Sequence, residues 1–269
     1  MTGDTGSANA RQRVFDAHLH IVDPRFPLNT NEGFRPSVFT VADYRERTQA
    51  LGIAGGTVVS GSFQGFDQTY LLAALRELGP GFVGVTQVPV SVSDAEILRL
   101  TAAGVRAVRF NLRRGGSASV EHLEALAWRV HRLAGWHAEL YVDGRDLAEL
   151  ADMLERLPSV SIDHLGLSAQ GLPHLLHLVE HGVRVKATGF GRVDFSVPEA
   201  LRSLMAANPH SLMFGTDLPS TRAPRPFLDS DLDLIGEAIG TDGSEAVLFG
   251  NAWKFYHPDA VPDPQPTSA

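Results

Sequence analysis

Short apolar runs alternate with amphipathic stretches along most of the chain. Runs of about four to eight apolar residues, bounded by turn-forming residues, are typical of buried strands. Apolar residues that recur every three or four positions predict helices. The eight predicted strands are RVFDAHLH, GGTVVSG, FVGVTQVP, VRAVRFN, HAELYVD, VSIDHLG, VRVKATG and LMFGTD. The predicted helices begin near Val41, Gln68, Asp94, Val120, Asp146, Leu172, Val197 and Ser230, and a final one near Ser244.

This strict alternation predicts an α/β fold with parallel strands, because a helix must return the chain to the start of each next strand. Eight such units in 269 residues fit one (β/α)8 TIM barrel, which typically takes roughly 250 residues. We predict a single barrel domain over 13–257, with loose tails at 1–12 and 258–269. The alternative, an open doubly wound sheet, would normally carry a Gly-rich turn after its first strand, where this chain has His-Leu-His.

Composition narrows the picture mainly by exclusion. The net charge of −8 argues against nucleic-acid and anionic-membrane partners. No apolar run approaches the roughly 18 residues of a membrane span, and the N-terminus lacks the apolar core of a secretory signal. The chain has no cysteine, which excludes disulfides, a Cys nucleophile and thiolate metal sites. We therefore expect a cytoplasmic protein with a small-molecule substrate, and the oligomeric state stays open.

The predicted strand ends are unusually polar, and in a TIM barrel catalytic groups lie at the carboxyl ends of the strands. His18 and His20 are one residue apart, so both side chains point to the same face of the first strand. His164 ends the sixth predicted strand and Asp217 the last. Taken singly, each could be structural, as a hydrogen-bonded core histidine or a helix cap. Together they predict a catalytic cluster in which a carboxylate serves as general base.

Several ordered motifs resemble a known family. They are FDAHLHIVDPRFPL, VADYRERTQALGI, GFDQTYLLAAL, AGVRAVRFNL, SIDHLG, VRVKATG and FGTDLP. They resemble the amidohydrolase superfamily, and within its amidohydrolase-related family the branch similar to 2-pyrone-4,6-dicarboxylate lactonase. The resemblance runs over about residues 14–255. It implies that Asp217 activates water, while His18, His20 and His164 polarise the carbonyl under attack.

Arginines near the barrel mouth bear on the charge of the substrate. Arg109 lies inside an apolar strand, and Arg192 lies in the loop after the seventh strand. A guanidinium can hold a carboxylate through paired hydrogen bonds. The resemblance implies the same use, because that branch binds a dicarboxylate with arginines on these loops. We expect Arg109, Arg192 and Tyr141 to bind a carboxylated substrate, and the sequence does not choose between Arg113 and Arg114.

These residues predict a hydrolase that opens a lactone or a related cyclic ester. One alternative is a metal-dependent decarboxylase, or another hydrolase, of the same superfamily. A decarboxylase would want an additional histidine ligand on the fifth strand. An alternative of another class is a barrel that has lost catalysis and only binds a small molecule. Retention of all four residues of the predicted cluster argues against that last reading.

The metal requirement is where the chain departs from much of the superfamily. Metal-dependent relatives usually add a ligand from the fourth or fifth strand, where this chain offers Arg109 and Tyr141 instead. A bound divalent metal, zinc or manganese, would take His18, His20 and Asp217 as ligands, with His164 left open. The resembling branch works without a metal. We therefore expect that no cofactor is required and that the three histidines donate hydrogen bonds to the carbonyl oxygen.

Overall fold

Eight parallel strands lie side by side in sequence order from β1 to β8. The structure is a computed structural model that describes residues 12–258, so the predicted tails fall outside it apart from their innermost residues. The strands are β1 (Val14–Leu19), β2 (Ile53–Val59), β3 (Phe82–Thr86), β4 (Val105–Asn111), β5 (His137–Tyr141), β6 (Val160–Ile162), β7 (Arg184–Ala187) and β8 (Leu212–Phe214). The predicted TIM barrel is confirmed, and the doubly wound alternative is wrong, because that sheet does not follow the order of the chain.

Helices follow the strands and cover the outside of the barrel. They are α1 (Val41–Thr48), α2 (Thr69–Leu78), α3 (Asp94–Ala102), α4 (Leu123–Ala134), α5 (Leu147–Arg156), α6 (Leu172–Glu180), α7 (Val197–Ala207), α8 (Ser230–Glu245) and α9 (Asn251–Tyr256). A 3-10 turn over Val120–His122 precedes α4, so the predicted start of that helix is the start of the turn. Among these helices, none is both long and apolar enough to cross a membrane.

Backbone hydrogen bonds join β1 and the segment after it to the segment that follows β8, and these segments carry three residues of the predicted cluster, His18, His20 and Asp217. The backbone N–H of Asp217 donates to the carbonyl of His18 at 2.7 Å. Below this bond, the buried carboxylate of Asp16 accepts from the backbone N–H and the hydroxyl of Thr216, at 2.8 and 2.7 Å. The segment that ends in Asp217 is therefore fixed to the strand that carries the first-strand histidines.

The amino end of the barrel interior is filled by apolar side chains. Its buried members are Phe15, Ala17, Val59, Val83, Val85, Ala107, Met213, Ala252 and Tyr256. The ring of Phe15 stacks on that of Tyr256 with centroids 5.6 Å apart, so α9 closes this end. His137 also lies here, with its ring 4.4 Å from that of Phe255, and it does not reach the mouth. The opposite, carboxyl end is the one that holds polar side chains.

Candidate active site

The four residues of the predicted cluster meet at the carboxyl end of the barrel. The Nε2 atoms of His18, His20 and His164 lie 3.9, 3.8 and 4.0 Å from Oδ1 of Asp217. All four side chains are buried. Asp217 Oδ1 and His18 Nε2 are buried without any hydrogen-bond partner within residues 12–258. Polar atoms left unpaired in this way are costly in a core, which makes the cluster a candidate ligand-binding site.

Left-handed backbone aims two of these side chains into the mouth. His164 has a φ of 52° and Asp217 a φ of 59°, a region that non-glycine residues seldom occupy. Gly189 makes room for the His164 ring, because a Cβ there would lie 2.7 Å from Nδ1 of His164. The Thr188 hydroxyl is 2.6 Å from the same Nδ1. Strained backbone is typical of functional sites, and here it fixes both directions.

The tautomer of His20 follows from its single backbone contact. Its Nδ1 lies 2.7 Å from the carbonyl of Val59, and a carbonyl only accepts, so Nδ1 carries the proton. Burial lowers the pKa of His20 well below its usual value, so the ring is neutral and Nε2 holds a lone pair. The expectation that all three histidines donate to a carbonyl oxygen does not hold for His20. Its Nε2 is therefore able to accept a hydrogen bond or to bind a metal, but not to donate.

Asp217 has the electrostatic setting of a general base. Burial raises its pKa to about 6, while Arg192 acts in the opposite direction. At neutral pH the carboxylate is therefore ionised but readily protonated. A base whose pKa lies just below the working pH combines the correct charge state with good proton affinity. Because Oδ2 is held by Arg192, Oδ1 is the oxygen free to accept a proton.

The two arginines predicted to bind substrate are engaged inside the protein. Nε and Nη2 of Arg192 lie 2.8 and 2.7 Å from Oδ2 of Asp217, and Nη2 also donates to the Thr221 carbonyl at 2.7 Å. Arg109 donates to the Ser60 carbonyl at 2.6 Å and to Oδ2 of Asp163 at 2.7 Å. Both line the mouth. Several of their donors already serve internal acceptors, whereas Nε of Arg109 has no hydrogen-bond partner within residues 12–258. Their role as forks for a substrate carboxylate therefore stays a prediction.

Two other arginines stand at the rim of the pocket. Arg114 and Arg222 both pair with the exposed carboxylate of Glu32, at 3.0 and 3.1 Å. Arg114 lines the pocket, whereas Arg113 does not and pairs instead with Asp143 at 3.4 Å. The structure thus shows that Arg114, and not Arg113, faces the pocket, which the sequence left open. One exposed carboxylate shared by two guanidiniums is a contact that an anionic ligand can replace.

The pocket between rim and cluster is small and is lined by both polar and aromatic side chains. Its lining comprises His20, Phe34, Gly61, Ser62, Phe63, Arg109, Asn111, Arg114, Tyr141, His164, Arg192, Thr221 and Arg222. It contains about 420 Å³ of space, including the part open to solvent. The predicted residue Tyr141 lies here with its ring edge-on to that of His164 at 5.2 Å. Its hydroxyl makes no hydrogen bond within the described range, so it is available to a substrate.

A charged network that the sequence interpretation did not assemble lies beneath His18. Lys186 Nζ lies 2.6 Å from Oε2 of Glu139 and 3.7 Å from Oδ1 of Asp163, and all three side chains are fully buried. Burial raises the pKa of Glu139, and the ammonium of Lys186 opposes that rise. Asp163 and Lys186 stand out in sequence as polar strand residues. Glu139 was missed, although a carboxylate in the apolar run HAELYVD is itself a signal.

A metal ion would find suitable ligand atoms in the cluster. One buried nitrogen from His18, one from His164 and an oxygen of Asp217 lie within 4.8 Å of one another. Ligands of a tetrahedral zinc ion stand roughly 3.4 Å apart, so this set would need only a small contraction. The set differs from the expected one in that His164 takes the place of His20. Two imidazole nitrogens and one carboxylate oxygen are donor types that fit a divalent transition metal.

Comparison with known proteins identifies the family. A sequence profile described as amidohydrolase matches residues 15–257. The chain belongs to the amidohydrolase family. Its sequence is 29% identical over 277 residues to 2-pyrone-4,6-dicarboxylate hydrolase of Comamonas testosteroni, which covers 91% of this chain and 90% of that protein. It is 24% identical over 241 residues to D-galactarolactone isomerase of Agrobacterium fabrum, which covers 88% of this chain and 75% of that protein.

Solved structures share the fold of this amidohydrolase. An apo structure from Agrobacterium tumefaciens superposes with a TM-score of 0.79 at 23% identity and covers 90% of this chain and 95% of that one. A structure from Acinetobacter baumannii, named for 2-pyrone-4,6-dicarboxylic acid hydrolase and holding citric acid, has a TM-score of 0.78 at 20% identity and covers 90% and 98%. These findings confirm the predicted resemblance and the hydrolase class.

Proposed function

We propose that this amidohydrolase opens the lactone ring of a small carboxylated molecule, with Asp217 as the general base. One observation carries the proposal. The buried, unpartnered Oδ1 of Asp217 lies 3.8–4.0 Å from three imidazole Nε2 atoms, and two of these histidines, His20 and His164, line the pocket. A water oxygen about 2.8 Å from both Oδ1 and an Nε2 atom can bridge a pair at this spacing. The names of two relatives, a pyrone dicarboxylate hydrolase and a galactarolactone isomerase, support a lactone substrate.

In the proposed reaction, Asp217 Oδ1 takes a proton from a water molecule as the water oxygen attacks the lactone carbonyl. The tetrahedral intermediate collapses, the ring C–O bond breaks, and the alkoxide receives the proton that Asp217 holds. One lactone and one water thus give one hydroxy acid, and the base is regenerated. Asp217 is ionised at neutral pH, because its pKa of about 6 lies below 7.

The histidines divide the remaining work. His20 accepts a hydrogen bond at Nε2, which orients the attacking water, because its Nδ1 proton serves the Val59 carbonyl. His18 and His164 donate from Nε2 to the carbonyl oxygen as it becomes an oxyanion. For His164 this requires that Nδ1 accept from the Thr188 hydroxyl, 2.6 Å away. His18, His164 and Asp217 would hold a divalent ion if one binds, and its chemistry would be polarisation of the same carbonyl.

The substrate carboxylate is proposed to bind at the rim. Arg114 and Arg222 converge on Glu32, which is half exposed, so a carboxylate of the substrate can take its place without uncovering a buried charge. Tyr141 adds a free hydroxyl between the rim and His164. Arg192 is proposed to act on Asp217 and not on the substrate.

Three alternatives to lactone hydrolysis are open to a barrel of this family. Lactone isomerisation is favoured by the relative named D-galactarolactone isomerase, and it would place a substrate hydroxyl where hydrolysis places water. Metal-dependent decarboxylation is disfavoured, because the mouth end of β5 offers Tyr141, while His137 lies at the opposite end among aromatic rings. A binding protein without catalysis does not explain why an unpartnered carboxylate is buried.

A panel of lactones tests the proposal. It would contain carboxylated pyrones, aldarolactones and neutral sugar lactones, and hydrolysis would be followed by acid release with NMR of the products. Carboxylated lactones should be hydrolysed by the wild type and not by Asp217→Asn. Isomeric lactone products without acid release would favour the isomerase, and binding without turnover of any lactone would refute both.

A further inference from the structure

The ammonium of Lys186 lies directly beneath the ring of His18. Lys186 projects from β7 and is fully buried, with its Nζ 2.6 Å from Oε2 of Glu139 and 3.3 Å from Nδ1 of His18. Asp163 Oδ1 lies 3.7 Å from the same nitrogen. Nothing in the proposed reaction uses this lysine, although a buried ammonium is expensive to keep in a core. Its contacts therefore call for an explanation.

Lys186 bears on the proton of His18 because an ammonium donates and never accepts. The neighbouring Nδ1 of His18 must then accept, and a neutral ring carries its one proton on Nε2. The His18 ring is fully buried and in contact with the Lys186 ammonium, a place where a second positive charge is unfavourable. Asp163 Oδ1 competes, because it also lies 3.3 Å from Nδ1. Asp163 Oδ1 is close enough to Nδ1 for a hydrogen bond but lies away from the direction of an Nδ1–H bond. It has no hydrogen-bond partner in the part of the chain that is described.

We propose that Lys186 is a positioning residue that holds His18 in the Nε2–H tautomer, opposite to that of His20, and thereby makes His18 a hydrogen-bond donor and a poor metal ligand. This deepens the proposed function, on which it rests. His18 on β1 and His20, which directly follows it, thus carry their ring protons on different nitrogens. His20 donates from Nδ1 to the Val59 carbonyl, whereas His18 accepts at Nδ1 from Lys186.

The same contact accounts for a conflict with metal binding. The spacing of His18, His164 and Asp217 suits a divalent ion, but a metal needs the lone pair of His18 Nε2. Metal binding would require His18 to change to the Nδ1–H tautomer. Its Nδ1 would then donate to Asp163 instead of accepting from Lys186. A second set of ligand atoms, on His18, Glu139 and Asp163, is spaced for an ion as well. The Lys186 ammonium already contacts these three residues, so it occupies the place that a second metal ion would take.

The tautomer can be measured on the wild-type protein without any substrate. In ¹⁵N-labelled histidine spectra, protonated and unprotonated ring nitrogens have well-separated shifts, and His18→Asn and His20→Asn would assign the signals. We expect His18 to be protonated at Nε2 and His20 at Nδ1. If His18 shows the same pattern as His20, the proposal is wrong, whatever the variants do.

A charge-matched variant tests the role of the lysine. Lys186→Met with Glu139→Gln removes one positive and one negative charge together, so no buried ion is left without its partner. We expect the His18 proton to move to Nδ1, toward Asp163. Glu139→Gln alone, which keeps the ammonium, is the control and should keep the wild-type tautomer. An unchanged tautomer in the double variant would overturn the proposal.

Zinc affinity gives an independent readout by equilibrium dialysis. His177, His181 and Glu155 form an exposed set of ligand atoms on the outside of the barrel, so all proteins should carry His177→Gln and His181→Gln to remove that background. In this background the double variant should bind zinc at least about ten-fold more tightly than its parent. Equal affinities would contradict the proposal. Because neither readout needs turnover, failure here would leave the lactonase proposal standing, and the reverse also holds.

Discussion

The two ends of the barrel interior differ in what their side chains leave unpaired. At the amino end, Phe15, Met213 and Tyr256 fill the space with apolar contacts, and α9 closes it. At the carboxyl end, Asp217 and His18 keep polar atoms that are buried and unpartnered within residues 12–258. The first arrangement lowers the free energy of the fold, and the second raises it. We therefore expect stability to depend mainly on the amino end and chemistry on the carboxyl end, as in other TIM barrels.

Asp217→Asn should have the largest effect on activity and little on stability. Loss of the base should lower kcat by about 10²- to 10⁴-fold. The melting temperature should be nearly unchanged or slightly raised, because the variant buries no ionised carboxylate although it weakens the pair with Arg192. Steady-state kinetics and calorimetry on one preparation measure both. Near wild-type turnover would contradict the assignment of the base.

Phe15→Ala should show the converse at the amino end. Truncating this fully buried ring removes its stacking on Tyr256 and should lower the free energy of unfolding by about 3–5 kcal/mol. Phe15→Leu is the matched control and should cost less. Below the melting transition, kcat and KM should stay close to wild type. A large fall in kcat with the fold intact would show that the two ends are not independent.

Arg114→Met should weaken binding of a carboxylated lactone, and Arg113→Met should not. Both residues lie in one loop and carry the same charge, but only Arg114 lines the pocket. We expect KM to rise about ten-fold for Arg114→Met, a modest value because the side chain is partly exposed. Kinetics with a carboxylated and a neutral lactone measure the difference. If neutral lactones are the better substrates, the rim does not bind a carboxylate.

Arg192→Met should move the pH profile by an amount near one pH unit. Burial holds the pKa of Asp217 at about 6, and Arg192 keeps it from rising further. Activity needs the ionised base, so it is lost as the pH falls through this pKa, and removing Arg192 should shift the loss to higher pH. Arg129→Met, which breaks the surface pair with Asp94, is the control. If the acid limb of the kcat/KM profile does not move, Arg192 does not control the pKa of the catalytic base.

Much of the fold and of the cluster could be predicted from sequence, because both depend on local patterns. The strand–helix alternation fixes the barrel, and the barrel places strand ends such as His18 and Asp217 in one mouth. Motif resemblance added their roles. The family comparison confirms the membership and the fold, while the roles of the individual residues and the cytoplasmic location stay predictions.

The partners of charged side chains could not be predicted in the same way. Arg192 stands in the expected loop, yet its guanidinium is bound to Asp217, a contact between residues 25 positions apart that no local pattern encodes. The proton on His20 depends likewise on a carbonyl of β2. Glu139 was missed because its side chain points inward from the middle of a strand, where a strand-end survey does not look.

Removal of any bound metal should leave the activity of the enzyme unchanged. If Lys186 holds the proton of His18 on Nε2, as proposed, that proton occupies the position a metal would need, and we expect hydrogen bonds to polarise the carbonyl. Purified protein should hold less than one equivalent of zinc or manganese by elemental analysis, and kcat should be the same after dialysis against a chelator and after zinc is restored. Asp217→Asn, carried in parallel, gives the floor of the assay. Stoichiometric zinc or manganese, with activity lost on removal and recovered on its return, would show that the carboxyl end of the barrel is a metal centre and that its unpartnered atoms are ligands.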